Sequence, residues 1–169
     1  MIEVRHIRSD EGLLLRALRL RALADSPMAY GSTLAEEQSY SEVIWHERAA
    51  NGAAGREAVT IVADDSGRLV GIATGLAPGA ETQHKSGPII VGVFVDSSAR
   101  RQGVGIALIE EIVAWAQARG STRLDVWITS GNEPAIALYR RCGCEPTGAT
   151  RPNAHTPTLV EFEMARKLE

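Results

Sequence analysis

Apolar and polar residues follow two different periods along this chain, one typical of strands and the other of helices. Residues 2–7 alternate as a half-buried strand does, and residues 14–23 repeat leucine and alanine at helical spacing. Ser9 or Asp10 is the predicted cap of that first helix, which should end near Ala24. A second helix is predicted to begin after Ser41 and to end before the glycine-containing residues 51–55.

The middle of the chain predicts a hairpin followed by a β-α-β unit. Two apolar runs, residues 58–63 and 69–77, flank the sequence Asp-Asp-Ser-Gly-Arg, which favours a tight turn between antiparallel strands. After a polar loop, the continuous apolar run 88–95 predicts a strand buried on both faces. An amphipathic helix over 106–115 and a strand over 124–128 come next, so these two strands should lie nearly parallel.

The last third of the chain predicts one short helix and two strands. The helix should run from about Glu133 to Arg141, with Asn132 as its cap and Pro134 in its first turn. The strands are predicted near residues 145–150 and 158–167. Because no repeat or low-complexity linker interrupts the pattern, we expect a single mixed α/β domain over residues 1–169.

Composition and charge exclude several classes of protein. With 169 residues, 44% of them hydrophobic, and a net charge of −3, the chain is an ordinary globular protein without the basic surface that sequence-independent nucleic-acid binding requires. The longest apolar stretch is too short to span a bilayer, and no signal-peptide core follows Met1. Cys142 and Cys144 alone cannot supply a structural zinc site. We therefore expect a cytoplasmic protein with no metal, membrane or nucleic-acid partner.

The segment between the apolar strand 88–95 and the amphipathic helix has the composition of a phosphate cradle. A helix start presents free N–H groups and a partial positive charge, and Gly103 and Gly105 allow close approach to the backbone. Arg100 and Arg101 add charged donors. Two alternatives remain: the glycines serve only a tight turn, or they belong to a dinucleotide fingerprint, although Leu108 stands where that fingerprint needs Gly or Ala.

A second group of residues lies on the short helix after the strand 124–128. Asn132, Ala135 and Tyr139 share one helical face, and this helix begins at the strand end beside the one that feeds the cradle. Ligands in α/β sheets tend to bind outside such strand ends. Asn132 could still be a cap alone, and Tyr139 a core aromatic.

Together these two motifs resemble the GCN5-related N-acetyltransferase (GNAT) superfamily. Arg100-Arg101-Gln102-Gly103-Val104-Gly105 is similar to the family's Q/R-x-x-G-x-G/A motif, and Asn132-x-x-Ala135-x-x-Leu138-Tyr139 is similar to its second block. The resemblance extends over residues 88–145. It implies an α/β fold with a central mixed, mostly antiparallel sheet of six to seven strands, about four helices, and strands four and five splayed apart.

The resemblance also implies a set of cofactor contacts for acetyl-CoA as acyl donor. A bulge in the fourth strand would leave backbone groups of Val93, Phe94 and Val95 free for the pantetheine arm. Asn132 would contact the same arm, and Tyr139 stands where the family has a general acid for the departing thiolate. The diphosphate would be held by the cradle residues Arg100, Arg101, Gln102, Gly103, Val104, Gly105 and Ile106.

The expected reaction is direct attack of a neutral amine on the thioester, with a strand-four N–H near Phe94 stabilising the oxyanion. The base is open, because residues 89–95 contain no carboxylate. Candidates are Glu36 and Glu37, which we expect to hold or deprotonate the amine, the loop histidines His84 and His155, or water.

The resemblance does not identify the acceptor. We expect residues 30–45, 78–87 and 151–157 to rim its pocket, and a small-molecule primary amine to be the substrate. A protein N-terminus or lysine is the second candidate, and a CoA-binding sensor without catalysis and a nicotinamide enzyme are alternatives from other classes. Many relatives pair as dimers, so family membership also implies a homodimer.

Overall fold

The computed structural model describes residues 1–79 and 87–169, which form seven strands, five α-helices and one 3₁₀ turn. His84 lies outside the described residues. The elements in chain order are β1 (Ile2–His6), α1 (Gly12–Asp25), α2 (Leu34–Gln38), α3 (Glu42–Ala54), β2 (Ala58–Asp65), β3 (Arg68–Leu76), β4 (Ile89–Val95), the 3₁₀ turn Ser97–Ala99, α4 (Val104–Ala118), β5 (Arg123–Thr129), α5 (Glu133–Arg141), β6 (Glu145–Pro152) and β7 (Val160–Lys167).

The strands form one sheet in the order β1-β2-β3-β4-β5-β7-β6. Every neighbouring pair of described strands is antiparallel except β4 and β5, which run parallel. The predicted mixed, mostly antiparallel sheet with a splayed centre is therefore confirmed. The described helices include one more than expected, α2, whose start is capped by the Thr33 hydroxyl accepting the Glu36 N–H.

Helices cover both faces of the sheet. Helix α4 packs on one face through Leu108, Ile109 and Ile112, which are completely buried. Helices α1 and α3 cover the other face, where Leu18 and Trp45 are buried in a separate apolar cluster. No helix among the described residues combines the length and the apolar content needed to cross a bilayer.

Two predicted helix boundaries were wrong. Helix α1 is preceded by Glu11 and not by a Ser9 or Asp10 cap, because the Glu11 carboxylate is held by the backbone N–H of Arg8 at 2.8 Å. Helix α3 continues through Gly52 to Ala54. A Cβ on Gly52 would lie 2.3 Å from the Thr60 hydroxyl oxygen, so this glycine allows close contact between helix and strand.

Strand β4 is not buried along its whole length as predicted. Except for the buried Phe94, the strand is only partly buried from Val91 onward, because the parallel pairing with β5 ends at the pair Ile90 and Val126. The pairing with β3 shifts by one residue, so that Gly92 and Val93 together oppose Ala73. Gly92 has a φ of +63°, a conformation that favours glycine. This bulge bends β4 away from β5 and opens a gap between the two strands.

Candidate active site

The gap beside β4 exposes backbone groups of alternate residues. The Asp96 N–H donates to the Val70 carbonyl at 2.7 Å, and alternation along an antiparallel pair then directs the Phe94 backbone toward β3. The backbone of Val93 and Val95 faces the gap. Their carbonyls accept hydrogen bonds from the Tyr30 hydroxyl at 3.1 Å and from Arg100 Nε at 2.9 Å. Of the three residues predicted for the pantetheine arm, two thus offer backbone groups to the gap, and Phe94 does not.

The start of α4 follows β4 after the 3₁₀ turn Ser97–Ala99, and it carries the residues of the predicted cradle. Arg101 and Gly103 both have positive φ, +61° and +78°. Ala107 donates to the Gly103 carbonyl at 3.0 Å, which leaves the three preceding N–H groups, those of Val104, Gly105 and Ile106, without acceptors inside the helix. A Cβ on Gly103 would meet open space. The cradle therefore combines free N–H groups with an unobstructed approach, which is what a diphosphate needs.

Side chains around the cradle hold its shape. Arg100 joins the Val95 carbonyl to the Asp25 carboxylate, with Nη2 at 2.8 Å from Oδ2. Gln102 donates to the Ser98 carbonyl at 3.2 Å. A Cβ on Gly105 would lie 3.3 Å from the methyl carbons of Leu138, so Gly105 is needed for the packing of α4 on α5.

Helix α5 brings the second motif to the same side of the sheet. The Asn132 side chain accepts the Ala135 N–H at 3.4 Å, as predicted for a cap. Tyr139 is buried, and this burial raises the pKa of its phenol well above the usual range, with smaller contributions from Cys144 and Tyr30. The phenol therefore stays protonated at physiological pH.

A cleft of about 780 Å³ opens beside the β4 bulge. Its wall includes residues from every strand except β1, from α1 and α3, and from the segment between α1 and α2, among them Arg19, Tyr30, Arg48 and Trp127. Residues 30–32 and 151–154, from two of the predicted rim segments, also line it. The cleft thus meets the gap at Gly92, where an acyl group and a second substrate could come together.

A buried ion pair connects the cleft to the bulge. Glu37 is 2% exposed and accepts two hydrogen bonds from Arg19, Oε2 from Nε at 3.0 Å and Oε1 from Nη2 at 3.1 Å. The Arg19 guanidinium stacks over the Tyr30 ring at 4.7 Å. A Cβ on Gly92 would lie 3.4 Å from Arg19 Nη1, so this cation lies against the bulge.

The profile of the Acetyltransferase (GNAT) family matches residues 20–144, which include the cradle, the bulge and α5. The chain belongs to the GNAT family. The match covers most of the sequence, and it confirms the resemblance drawn from the two motifs.

Relatives and solved structures agree with this assignment. The L-methionine sulfoximine/L-methionine sulfone acetyltransferase of Pseudomonas aeruginosa is 28% identical over 90 residues, which are 53% of this chain and 52% of that protein. The chain spans about half the length, or less, of the curated relatives it matches.

Two solved structures have the same fold over nearly all of both chains. Ribosomal-protein-alanine N-acetyltransferase from Brucella melitensis has a TM-score of 0.75 and 26% identity, covering 98% of this chain and 99% of that one. PaiA N-acetyltransferase from Thermoplasma acidophilum, solved with coenzyme A, has a TM-score of 0.71 and 12% identity, covering 99% of each chain.

The candidate bases that the structure describes, Glu36, Glu37 and His155, do not line the cleft. Glu37 is enclosed by arginines, and Glu36 is exposed and accepts the Ser32 hydroxyl at 3.2 Å. Neither carboxylate lines the cleft. The His155 ring contacts the Gly31 carbonyl through Nε2. Within residues 1–79 and 87–169, no three His, Cys, Asp or Glu side chains are grouped closely enough to bind a metal ion.

Three residues of the cleft were not predicted individually from the sequence: Arg19, Tyr30 and Arg48. Arg19 carried a signal, because it lies four residues from both Leu15 and Leu23, on the stripe of α1 that is buried. A cation on a buried stripe requires a partner, which is Glu37. Tyr30 stands in a segment without a clear period, and Arg48 lies in the predicted second helix, where nothing distinguished it from the other polar residues.

Proposed function

We propose that this chain transfers the acetyl group of acetyl-CoA to a primary amine of a small molecule. The observation that carries the proposal is the juxtaposition of the opened β4 edge, the cradle at the start of α4 and the cleft beside Gly92. The solved GNAT structure with coenzyme A supports the donor. The relative that acetylates L-methionine sulfoximine supports a small acceptor.

The described residues fit acetyl-CoA. Free N–H groups of Val104, Gly105 and Ile106 would hold the diphosphate, and the open space at Gly103 leaves room for it. The gap-facing backbone of Val95 would pair with an amide of the pantetheine arm as a further strand does, and the Val93 N–H would face the thioester. When bound, acetyl-CoA supplies the thioester that an amine can attack.

In this proposal the protein lowers the barrier mainly by position and electrostatics. The Val93 N–H, beside the bulge, donates to the carbonyl oxygen as the C–N bond forms. Arg19 lowers the pKa of an ammonium bound next to it, so that more of the acceptor is the neutral nucleophile, and water takes the released proton. Glu37 positions Arg19 through their ion pair. Tyr139 gives its proton to the sulfur as the C–S bond breaks, and the phenolate takes a proton back from water as CoA leaves.

Replacing Tyr139 with phenylalanine is expected to lower kcat for acetyl transfer by about tenfold or more, because the variant has no acid for the thiolate. The packing of the ring is kept, so the Kd for CoA should stay close to that of the parent protein. Steady-state thiol release and calorimetry measure the two quantities. Tyr40→Phe is the matched control, and a Tyr139→Phe enzyme with the parent rate would remove Tyr139 from the acid role.

The pH profile of the parent enzyme should carry the signature of the buried phenol. A tyrosine with the ordinary pKa would lose its proton, and the rate would fall, near about pH 10. Burial raises the pKa of Tyr139, so its acid form persists there. We expect kcat/KM to rise with deprotonation of the amine and to show no decline up to about pH 10. A decline in that range that is absent in Tyr139→Phe would show that Tyr139 titrates near its ordinary pKa and would contradict the raised pKa expected from burial.

The proposed activity itself is tested by thiol release from acetyl-CoA with a panel of primary amines. Turnover with a small amine at millimolar concentration supports an acetyltransferase, and acetylation only of a peptide N-terminus or lysine favours the protein-directed alternative, to which the Brucella structure points. Binding of CoA without turnover favours the sensor. The nicotinamide alternative finds no support, because the described strands contain one parallel pair and a dinucleotide fold needs a mostly parallel sheet.

A further inference from the structure

The described wall of the cleft carries more positively than negatively charged side chains. Within the described residues, three guanidinium groups line it, those of Arg19, Arg48 and Arg151, against the single carboxylate of Glu161. Arg151 is paired with Glu161 at 2.8 Å, and Arg19 with the buried Glu37. Arg48 differs from both, because its carboxylate partner among the described residues, Glu37, is already paired with Arg19.

Arg48 is held in place and is still accessible. Its nearest carboxylate oxygen, Oε2 of Glu37, is 3.6 Å from Nη1, farther than the 3.0 Å that separates the same oxygen from Arg19 Nε. The guanidinium lies 5.0 Å from the ring centres of both Tyr40 and Trp45, and 42% of the side chain remains exposed. Stacking on two rings fixes the planar group without using its N–H donors.

The position of Arg48 relative to the bulge suits a short substrate. Arg48 and Arg19 both lie within 4 Å of Glu37 Oε2, and Arg19 lies against Gly92, where the acyl group would end. Arg48 and Arg19 are thus neighbours at the bulge, and a small molecule that carries both an amine and an anionic group could contact both sites. An α-amino acid is such a molecule.

We propose that the acceptor is an α-amino acid with an uncharged side chain, and that Arg48 binds its carboxylate. This inference rests on the proposed acetyl transfer and adds the class of acceptor. A bidentate pair between guanidinium and carboxylate gives both affinity and orientation. The described wall has no unpaired carboxylate to receive a second amine, which disfavours diamines, polyamines and lysine side chains.

The test compares each neutral L-amino acid with its own α-amide as acceptor in the thiol-release assay. The amine of the amide is less basic, so a larger fraction of it is the neutral nucleophile near neutral pH, and a cleft without a carboxylate site would favour the amide. We expect the opposite, with kcat/KM for the best amino acid exceeding that for its amide by about tenfold or more, mainly through KM. An amide used as well as the acid would overturn the inference.

Variants assign the preference to one side chain. Arg48→Gln should reduce the ratio of acid to amide to within about threefold of one, and Arg48→Lys should retain part of it. Arg8→Gln, which removes a 65% exposed arginine away from the cleft, is the control for net charge and should keep the parent ratio. If Arg48→Gln had the same ratio of acid to amide as the parent enzyme, the assignment of the carboxylate site to Arg48 would be overturned.

The same assay separates this inference from the activity on which it rests. Turnover of amides and simple amines with rejection of amino acids would leave the acetyltransferase intact and overturn only the carboxylate site. No turnover with any amine would overturn both.

Discussion

Glu37→Gln is expected to lower the free energy of unfolding by about 3 kcal/mol, because it leaves the Arg19 guanidinium partly buried without its counter-charge. Glutamine keeps one oxygen acceptor for Arg19 but brings no charge and orients an N–H₂ group toward a cation. Two further contacts depend on the same arginine: its stacking on Tyr30 and its position against Gly92. Urea unfolding of the parent and the variant measures the loss.

The neighbouring carboxylate provides a matched control. Glu36 lies on the same short helix but is exposed, so Glu36→Gln should change the free energy of unfolding by less than about 0.5 kcal/mol. The two variants also distinguish two roles for Glu37, an ion pair with Arg19 and direct proton transfer. A Glu37→Gln protein that unfolds like the parent and loses only acetyl transfer would contradict the ion-pair role and assign Glu37 to direct proton transfer.

Local patterns were sufficient for much of the fold. The turn between β2 and β3 follows from its own residues, since Ser66 and Gly67 adopt positive φ and the Gly67 N–H is accepted by Asp64 Oδ1 at 2.7 Å. The strongly apolar stripe of α4 and the cap at Asn132 were predicted for the same reason. In these elements, local preference and the final packing agree.

Errors arose where a contact distant in sequence overrides a local preference. Gly52 was expected to lie beyond the end of its helix, but it lies inside the helix, where its close packing against Thr60 of β2 leaves no room for a side chain. The apolar run of β4 predicted a strand buried on both faces, and no local signal indicates that its neighbour would pair only with the first residues. Both deviations depend on how separate elements pack.

The two parts of the candidate site, the start of α4 and the Arg19–Glu37 ion pair, differ in how far the sequence predicts them. The glycine-containing start of α4 could be predicted because its residues are contiguous in sequence. Arg19 and Glu37 are 18 positions apart in sequence and lie on different helices. From the sequence alone, the adjacent Glu36 is an equally good partner for Arg19. Only the packing of α2 on α1 decides which of the two glutamates faces the arginine.

The second large effect is expected at the cradle, through Gly103→Glu. Glutamate at this position would have to adopt a φ of +78°, which residues other than glycine disfavour. Its carboxylate would also lie at the helix start, where the diphosphate would bind. Together these effects should weaken CoA binding by about thirtyfold or more. Gly120→Glu is a close control, since Gly120 follows the other end of α4 with a φ of +77° and the same open space around its Cβ position.

Calorimetric titration of CoA into the parent protein, Gly103→Glu and Gly120→Glu therefore tests the central claim directly. We expect the parent and Gly120→Glu to bind with similar Kd, and Gly103→Glu to bind far more weakly or without measurable heat. Equal affinity in all three proteins, or no binding by the parent, would contradict the proposed CoA site at the start of α4.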